Sequence, residues 1–158
     1  MLPVADRLIY RKIRGVFGGR VKGFVTGSAP VHIDILEFFY GIGMKIIELY
    51  GLSEATAISF ANTFDDIHLG TVGRALPGLE YRFAEDGELL LKGPMIFGGY
   101  LNLPEEDAKT FTEDGYLRTG DIGEVDEHGC LRITDRKKNL IKTAGGKYVV
   151  PARIEQLV

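Results

Sequence analysis

Residues 21–49 constrain the fold more than any other stretch, because they read as strand, tight turn, helix and strand in succession. Residues 21–26 predict a strand, Gly27-Ser28-Ala29-Pro30 a turn, 31–40 a helix with Ile35, Leu36 and Phe39 on its buried side, and 45–49 a second strand. Two strands joined by a helical crossover run parallel, and such units are almost always right-handed. Residues 3–16 predict a preceding helix with a basic face, in which Leu8, Ile9, Ile13 and Val16 interleave with Arg7, Arg11, Lys12 and Arg14. The pattern changes from Thr71. Short β-like runs at 79–83, 88–92, 121–125 and 130–134 are separated by the turn signals Glu85-Asp86-Gly87 and Asp126-Glu127-His128-Gly129. A short helix over 104–110, opened by Pro104 and acidic residues, lies between them. This half predicts a small antiparallel sheet or distorted barrel. Residues 135–139 read as a polar linker, and 140–142 and 148–150 as a hairpin about Gly145-Gly146. Pro151 starts a helix that is still unfinished at Val158.

Composition narrows the function. With 22 acidic and 19 basic side chains the net charge is -3, which argues against a general nucleic-acid binder with its basic stripe. Cys130 is the sole cysteine, so no intrachain disulfide forms and a reducing, cytoplasmic setting is expected. No apolar run approaches the roughly 18 residues needed to span a bilayer. The 21 glycines fall between short apolar runs, where backbone must turn tightly or approach a ligand.

Four segments carry candidate chemistry. Gly27-Ser28-Ala29-Pro30 combines small residues, against which a flat ligand can lie, with the N–H groups of a helix start; it is equally an ordinary strand–helix turn. Glu48-Leu49-Tyr50-Gly51-Leu52-Ser53-Glu54 lies at the C-terminal end of the next strand, where open α/β sheets place ligands. Tyr50 offers a ring to a base, Ser53 a hydroxyl to a phosphate and Glu54 a carboxylate to Mg²⁺, unless these are a core tyrosine and a helix cap. Asp121, in Tyr116-Leu117-Arg118-Thr119-Gly120-Asp121, suits a ribose diol or a plain turn. Residues 129–155 set a basic cluster beside a Gly-Gly turn, fit for phosphate or simply for solvent.

In their order and spacing these segments resemble the adenylate-forming superfamily of acyl-CoA synthetases, luciferases and adenylation domains of peptide synthetases. GSAP is similar to its adenine loop, YGLSE to its aromatic-Gly-x-Thr-Glu motif and GELLLKGPMIFGGY to its Gly-Glu-Leu…Gly-Tyr segment. YLRTGD and DRKKNLIKTAGGKYVVPARIE resemble its ribose and hinge motifs. The wording of EFFYGIGMKIIELYGLSE and TAGGKYVVP is most similar to bacterial long-chain fatty acid–CoA ligases. The resemblance implies a mixed α/β chain. Residues 1–134 would be the later part of a large AMP-binding domain (a β-α-β portion, then the antiparallel sheet or barrel), 135–140 a hinge, and 141–158 the start of a small α+β domain.

The resemblance also implies ATP-dependent activation of a long-chain fatty acid to acyl-AMP and then acyl-CoA, with Mg²⁺ and coenzyme A taking part. Gly27, Ser28, Ala29 and Pro30 would border adenine. Tyr50, within the Glu48-Leu49-Tyr50-Gly51 run, would stack on it. Ser53 would meet the α-phosphate, Glu54 would hold Mg²⁺, Asp121 would bind the ribose, and Arg136 would approach ribose or phosphate. Lys138 would sit at the swivel, and Lys142, Gly145, Gly146 and Lys147 would belong to the thioester-forming face near coenzyme A. Ser53 stands where Thr is usual and keeps the hydroxyl. No Gly/Ser/Thr-rich loop ending in Lys-Gly precedes residue 27, and the family's last catalytic lysine would lie past Val158, so these 158 residues alone are expected to be inactive. Long-chain substrates suggest work near a membrane surface, and a homodimeric parent is left open. Two other functions remain: a non-catalytic nucleotide-binding or interaction module, and an adenylation domain that loads a carrier protein.

Overall fold

The computed structural model describes residues 3–139, and beyond them the backbone of two short strands at 141–142 and 148–149. The chain opens on α1 (Pro3–Ala5) and α2 (Arg11–Val16), joined by a π-helical turn at Asp6–Tyr10. The helix expected over 3–16 is thus helical throughout but widened in the middle; Ala5, Tyr10 and Arg11 all keep right-handed dihedrals. Arg14 ties it down, pairing with Asp6 at 2.7 Å and donating to the Ile42 carbonyl at 2.7 Å.

The β-α-β unit is present as β1 (Phe24–Thr26), α3 (Ile33–Gly41) and β2 (Ile46–Tyr50), with Phe24 opposite Ile46 in a parallel pair. His32 caps α3, its Nδ1 accepting from the Asp34 N–H at 3.3 Å. Leu36 is buried as expected, but Ile35, also expected inside, is 48% exposed. Successive helical residues lie about 100° apart, so a helix that presents only a narrow side to its sheet cannot bury both. Two further strands, β3 (Phe60–Ala61) and β4 (Arg74–Ala75), extend this sheet antiparallel in the order β1-β2-β3-β4. Two residues show no alternation, so sequence patterning does not mark them.

The second sheet holds β5 (Glu80–Phe83), β6 (Glu88–Lys92), β7 (Leu117–Val125) and β8 (Leu131–Arg136), antiparallel and in chain order. It is an open sheet rather than a barrel. α4 (Pro104–Thr110) is inserted between β6 and β7, with Pro104 in its first turn and Glu105, Glu106 and Asp107 at its positive end. Leu89, Leu90 and Leu91 of β6 are all buried, which requires cover on both faces. Phe60 and Ala55 pack with Leu79, Leu89, Leu91, Leu117 and Leu131 in one core. The Phe60 ring lies 5.2 Å from that of Tyr81 and 6.2 Å from that of Tyr50. This core, together with backbone bonds from Val72 to Leu131 and from Leu131 to Gly73 at 2.8 Å each, brings the two sheets together. The end of β2 thereby comes to rest against β7.

The run expected as a linker begins inside the sheet. Asp135 and Arg136 finish β8, and Lys137–Asn139 form a 3-10 turn. Beyond it, β9 (Ile141–Lys142) pairs antiparallel with β10 (Tyr148–Val149), the expected hairpin. Among the described residues no helix is long and apolar enough to cross a membrane.

Candidate functional site

The site forms where β2 ends. Chain direction must reverse between Tyr50 and β3, and Gly51 makes this possible. A β-carbon there would lie 2.0 Å from the Ala57 carbonyl oxygen, a distance no side chain tolerates. The returning loop holds a 3-10 turn at Ser53–Ala55, followed by Thr56 and Ala57 at φ of 54° and 73°. Non-glycine residues avoid this left-handed region unless surrounding structure imposes it. Here the Thr56 hydroxyl donates to the Met95 carbonyl at 2.7 Å, and the Phe97 N–H donates to the Glu54 carbonyl at 2.8 Å. Ser53 is exposed at the rim and Glu54 half-buried.

The facing wall comes from the second sheet. In the β7–β8 ladder Asp121 stands directly opposite Arg136, a cross-strand pairing that favours opposite charges. Arg136 Nε lies 3.1 Å from Asp121 Oδ1. The Tyr50 hydroxyl, arriving from the other sheet, donates to Asp121 Oδ2 at 2.7 Å. Asp121 is only 5% exposed; its Oδ2 accepts from Tyr50 and its Oδ1 faces the Arg136 guanidinium as an ion pair. Burial, and then the Asp121 carboxylate, push the Tyr50 phenol above its ordinary range, which favours the protonated form that donates to Asp121.

Between the walls lies a cleft of about 420 Å³, bordered by Ser28, Ser53, Glu54, Tyr100, Asp121 and Arg136 among others. Sites for small molecules and cofactors span roughly 300–1,000 Å³. Of the residues singled out in the sequence, Ser28, Gly51, Ser53, Glu54, Asp121 and Arg136 line this space. Tyr50 joins them through its hydroxyl. Gly27, Ala29 and Pro30 flank Ser28 in an exposed turn, where Ser28 takes a φ of 68°. Lys138 borders an adjoining hollow with Thr119, Gly120, Arg136 and Lys137.

Leu49 belongs to β2 and pairs with Ala61. Glu48 is not brought to the cleft: its carboxylate is buried two residues earlier on β2, where it accepts from the Gly70 N–H at 3.2 Å. Burial raises its pKa, against a smaller opposite pull from that N–H. Gly145, Gly146 and Lys147 lie outside the described residues, as does the side chain of Lys142.

Two residues at the site were not named from sequence. Tyr100 donates to Glu54 Oε1 at 2.6 Å, and that bond, more than burial, pushes its phenol up to about 12. Its amide donates to Asp107 Oδ1 at 2.8 Å. The GGY ending of the segment at 87–100 was the available signal. Glu88 is 3% exposed and has several partners: it accepts from the Gly120 N–H at 3.0 Å and from Lys137 Nζ at 2.8 Å, and Arg118 stands 3.7 Å away. It thereby fixes the approach to Asp121 and the residue after β8 together.

The arrangement suits a ligand with an anionic part and a hydroxylated part. Arg136 supplies a cation, Ser53 a hydroxyl and Asp121 a carboxylate acceptor, while Glu54 offers hard oxygen to a divalent cation.

Known proteins are similar to this chain in sequence and in fold. Residues 5–101 match the family described as AMP-binding enzyme. A long-chain-fatty-acid–CoA ligase of Mycobacterium bovis is 47% identical over 152 residues, which are 96% of this chain and 25% of that protein. The crystal structure of ATP-bound MatB from Rhodopseudomonas palustris superposes with a TM-score of 0.79 at 36% identity, over 87% of this chain and 29% of that one. The anthranilate CoA ligase AuaEII, in complex with anthranoyl-AMP, superposes with a TM-score of 0.76 at 25% identity, over 86% and 28% respectively. The chain thus spans about a quarter of the length of the curated relatives it matches.

Proposed function

Because the chain belongs to the AMP-binding enzyme family, we propose that its cleft holds the AMP moiety of ATP during activation of a long-chain fatty acid, first to acyl-AMP and then to acyl-CoA. The full reaction is proposed for a polypeptide of the relatives' length that carries this segment. The relative from Mycobacterium bovis is named for that substrate, MatB binds ATP in its crystal, and AuaEII holds an acyl-AMP of its own.

One observation carries the proposal. Tyr50, Asp121 and Arg136, far apart in sequence, meet in a single bonded cluster beside Ser53 and Glu54. In the ligand-bound enzyme Asp121 accepts from the two ribose hydroxyls. Arg136 turns from Asp121 toward ribose or phosphate, and Tyr50 and the turn at Gly27–Pro30 border the base. The substrate carboxylate oxygen attacks the α-phosphorus and the bond to pyrophosphate breaks. In the second step the coenzyme A thiolate attacks the acyl carbonyl and AMP leaves. Positioning and charge neutralisation supply most of the catalysis in such steps. Glu54 and the exposed Ser53 hydroxyl form an oxygen-rich rim that fits Mg²⁺, which would neutralise phosphate charge there. Lys138 sits where the chain leaves the second sheet, the place for a swivel between the two steps, and Lys142, Gly145, Gly146 and Lys147 serve the thioester step.

Isotope exchange between pyrophosphate and ATP, in the presence of long-chain fatty acid, tests this directly. In a polypeptide of the relatives' length, Asp121→Ala should lower exchange by about 10²-fold or more, through loss of a buried charged acceptor. Lys142→Ala should leave exchange close to wild type and slow thioester formation. Equal loss of both steps in both variants contradicts the assignment.

A further inference from the structure

A second cluster of metal-type ligands lies away from the cleft, at the seam between the two sheets. One side is the loop that precedes β4; the other is the tight turn between β7 and β8. His68, Asp126 and Cys130 each bring one ligand atom to this point, and all three atoms lie within 4.8 Å of one another. We propose that these three residues form a zinc-binding site that staples the β3–β4 loop to the β7–β8 turn.

Both loops are built before any ion arrives. The His68 N–H donates to the side-chain oxygen of Asn62 at 2.9 Å, and Asn62 is itself only 3% exposed and donates to the Thr71 carbonyl at 2.6 Å. Across the seam, Asp126 Oδ1 accepts from the N–H groups of both His128 and Cys130 at 2.9 Å, which leaves Oδ2 for another partner. Cys130 is 1% exposed and its backbone closes the turn through a bond from Asp126 at 3.0 Å. The ligand atoms therefore sit on pinned backbone rather than on loose side chains.

The chemistry of the donor set selects the ion. One thiolate, one imidazole and one carboxylate suit Zn²⁺ better than Mg²⁺ or Ca²⁺, which take oxygen alone. His68 Nε2 lies 2.9 Å from Asp66 Oδ1. A carboxylate on one ring nitrogen fixes the tautomer and leaves Nδ1 as the lone-pair donor, the usual outer support of a zinc-bound histidine. The fourth position falls to water or to His128, whose ring centroid is 4.9 Å from that of His68. Cys130 gives up its thiol proton to solvent as the metal binds.

The test is a Co²⁺ titration of the purified protein followed by absorption, then displacement by Zn²⁺, with thermal unfolding measured alongside. A saturable thiolate-to-cobalt band at one equivalent is expected, and Zn²⁺ should quench it. At a hundredfold excess over Kd, Zn²⁺ should raise Tm by about 5–10 °C. His68→Gln should remove most of the Tm rise, and Asp66→Asn should weaken affinity by about 10–100-fold. Cys130→Ser should abolish the band; if that buried substitution unfolds the protein, His68→Gln decides alone. Absence of a thiolate band, or Zn²⁺ stabilisation undiminished in His68→Gln, overturns the proposal. Binding without the band assigns the ion to carboxylates such as those at the cleft, and overturns it equally.

Discussion

Asp121 shows how much one side chain can join. It is a strand residue, the cross-strand partner of Arg136, and the acceptor for a tyrosine from the other sheet. Tyr50→Phe removes a single donor and leaves the ring packed on Phe60. A hydrogen bond to a buried charged group contributes about 1.5–3 kcal/mol, so urea denaturation should show a loss of that order. Ligand-free Asp121 would then rely on Arg136 alone. Glu48, two residues earlier, gives a test with the opposite sense. Burial raises its folded pKa, so its neutral form is the one favoured in the fold. The resulting stability is present below the unfolded pKa, near 4.3, and is lost as pH rises through the higher folded value. Glu48→Gln keeps the acceptor for Gly70 without the charge. It should be more stable than wild type at pH 7, and the difference should vanish near pH 4 in parallel melts.

At the scale of elements, the loop from Gly51 to Ala57 decides whether the cleft exists. Gly51→Ala puts a methyl into the Ala57 carbonyl, so the loop must move. A loss of about 1–3 kcal/mol is expected, together with loss of nucleotide binding, measured by denaturation and by AMP titration. Gly41→Ala is the control: its β-carbon meets nothing within 4 Å, and stability should hold or rise slightly. The same contrast explains what the sequence reveals. The runs at 88–92 and 104–110 match the folded elements at both ends, because a leucine-rich run between turns and a proline-led acidic turn are local signals. Asp121, expected to open a strand, lies midway along β7, and only the Gly120 before it marks it. Tyr50 and Arg136 are legible because each closes a strand beside a glycine or a charge run. Tyr100 and Glu88 are not, because their meaning lies in partners 46 and 49 residues distant, Glu54 and Lys137. Ile35 misleads for a related reason: its apolar side chain belongs to a helix whose packing surface is narrower than its apolar stripe.

For the whole molecule, the place where the chain leaves the second sheet matters most, and Lys137 holds it. Its ammonium lies 2.6 Å from Asp86 and 2.8 Å from Glu88, so the turn at Lys137–Asn139 is fastened to the β5–β6 hairpin before the chain passes on to β9. Asp86 raises the Lys137 pKa most, then Glu88, and Lys137 in turn lowers that of Asp86. The two shifts set the pH window. The depressed carboxylate contributes stability that is present above its unfolded pKa, near 3.9, and is lost as pH falls through the lower folded value. The raised ammonium contributes stability that is full below about 10.4 and is lost as pH rises through the higher folded value. Lys137→Met should therefore cost a constant amount from about pH 5 to pH 9, and less at both extremes. Lys137 is 43% exposed, so solvent screening holds its direct contribution to about 1 kcal/mol. The buried Glu88, left with only the more distant Arg118 at 3.7 Å as its cation, adds to that cost. Hydrogen exchange separates a local from a global effect: amides at 137–139 should lose protection in Lys137→Met while those of Leu89 and Leu91 in β6 keep theirs. Equal loss at both places would mean that the clasp supports the sheet as a whole rather than the point at which the chain departs from it.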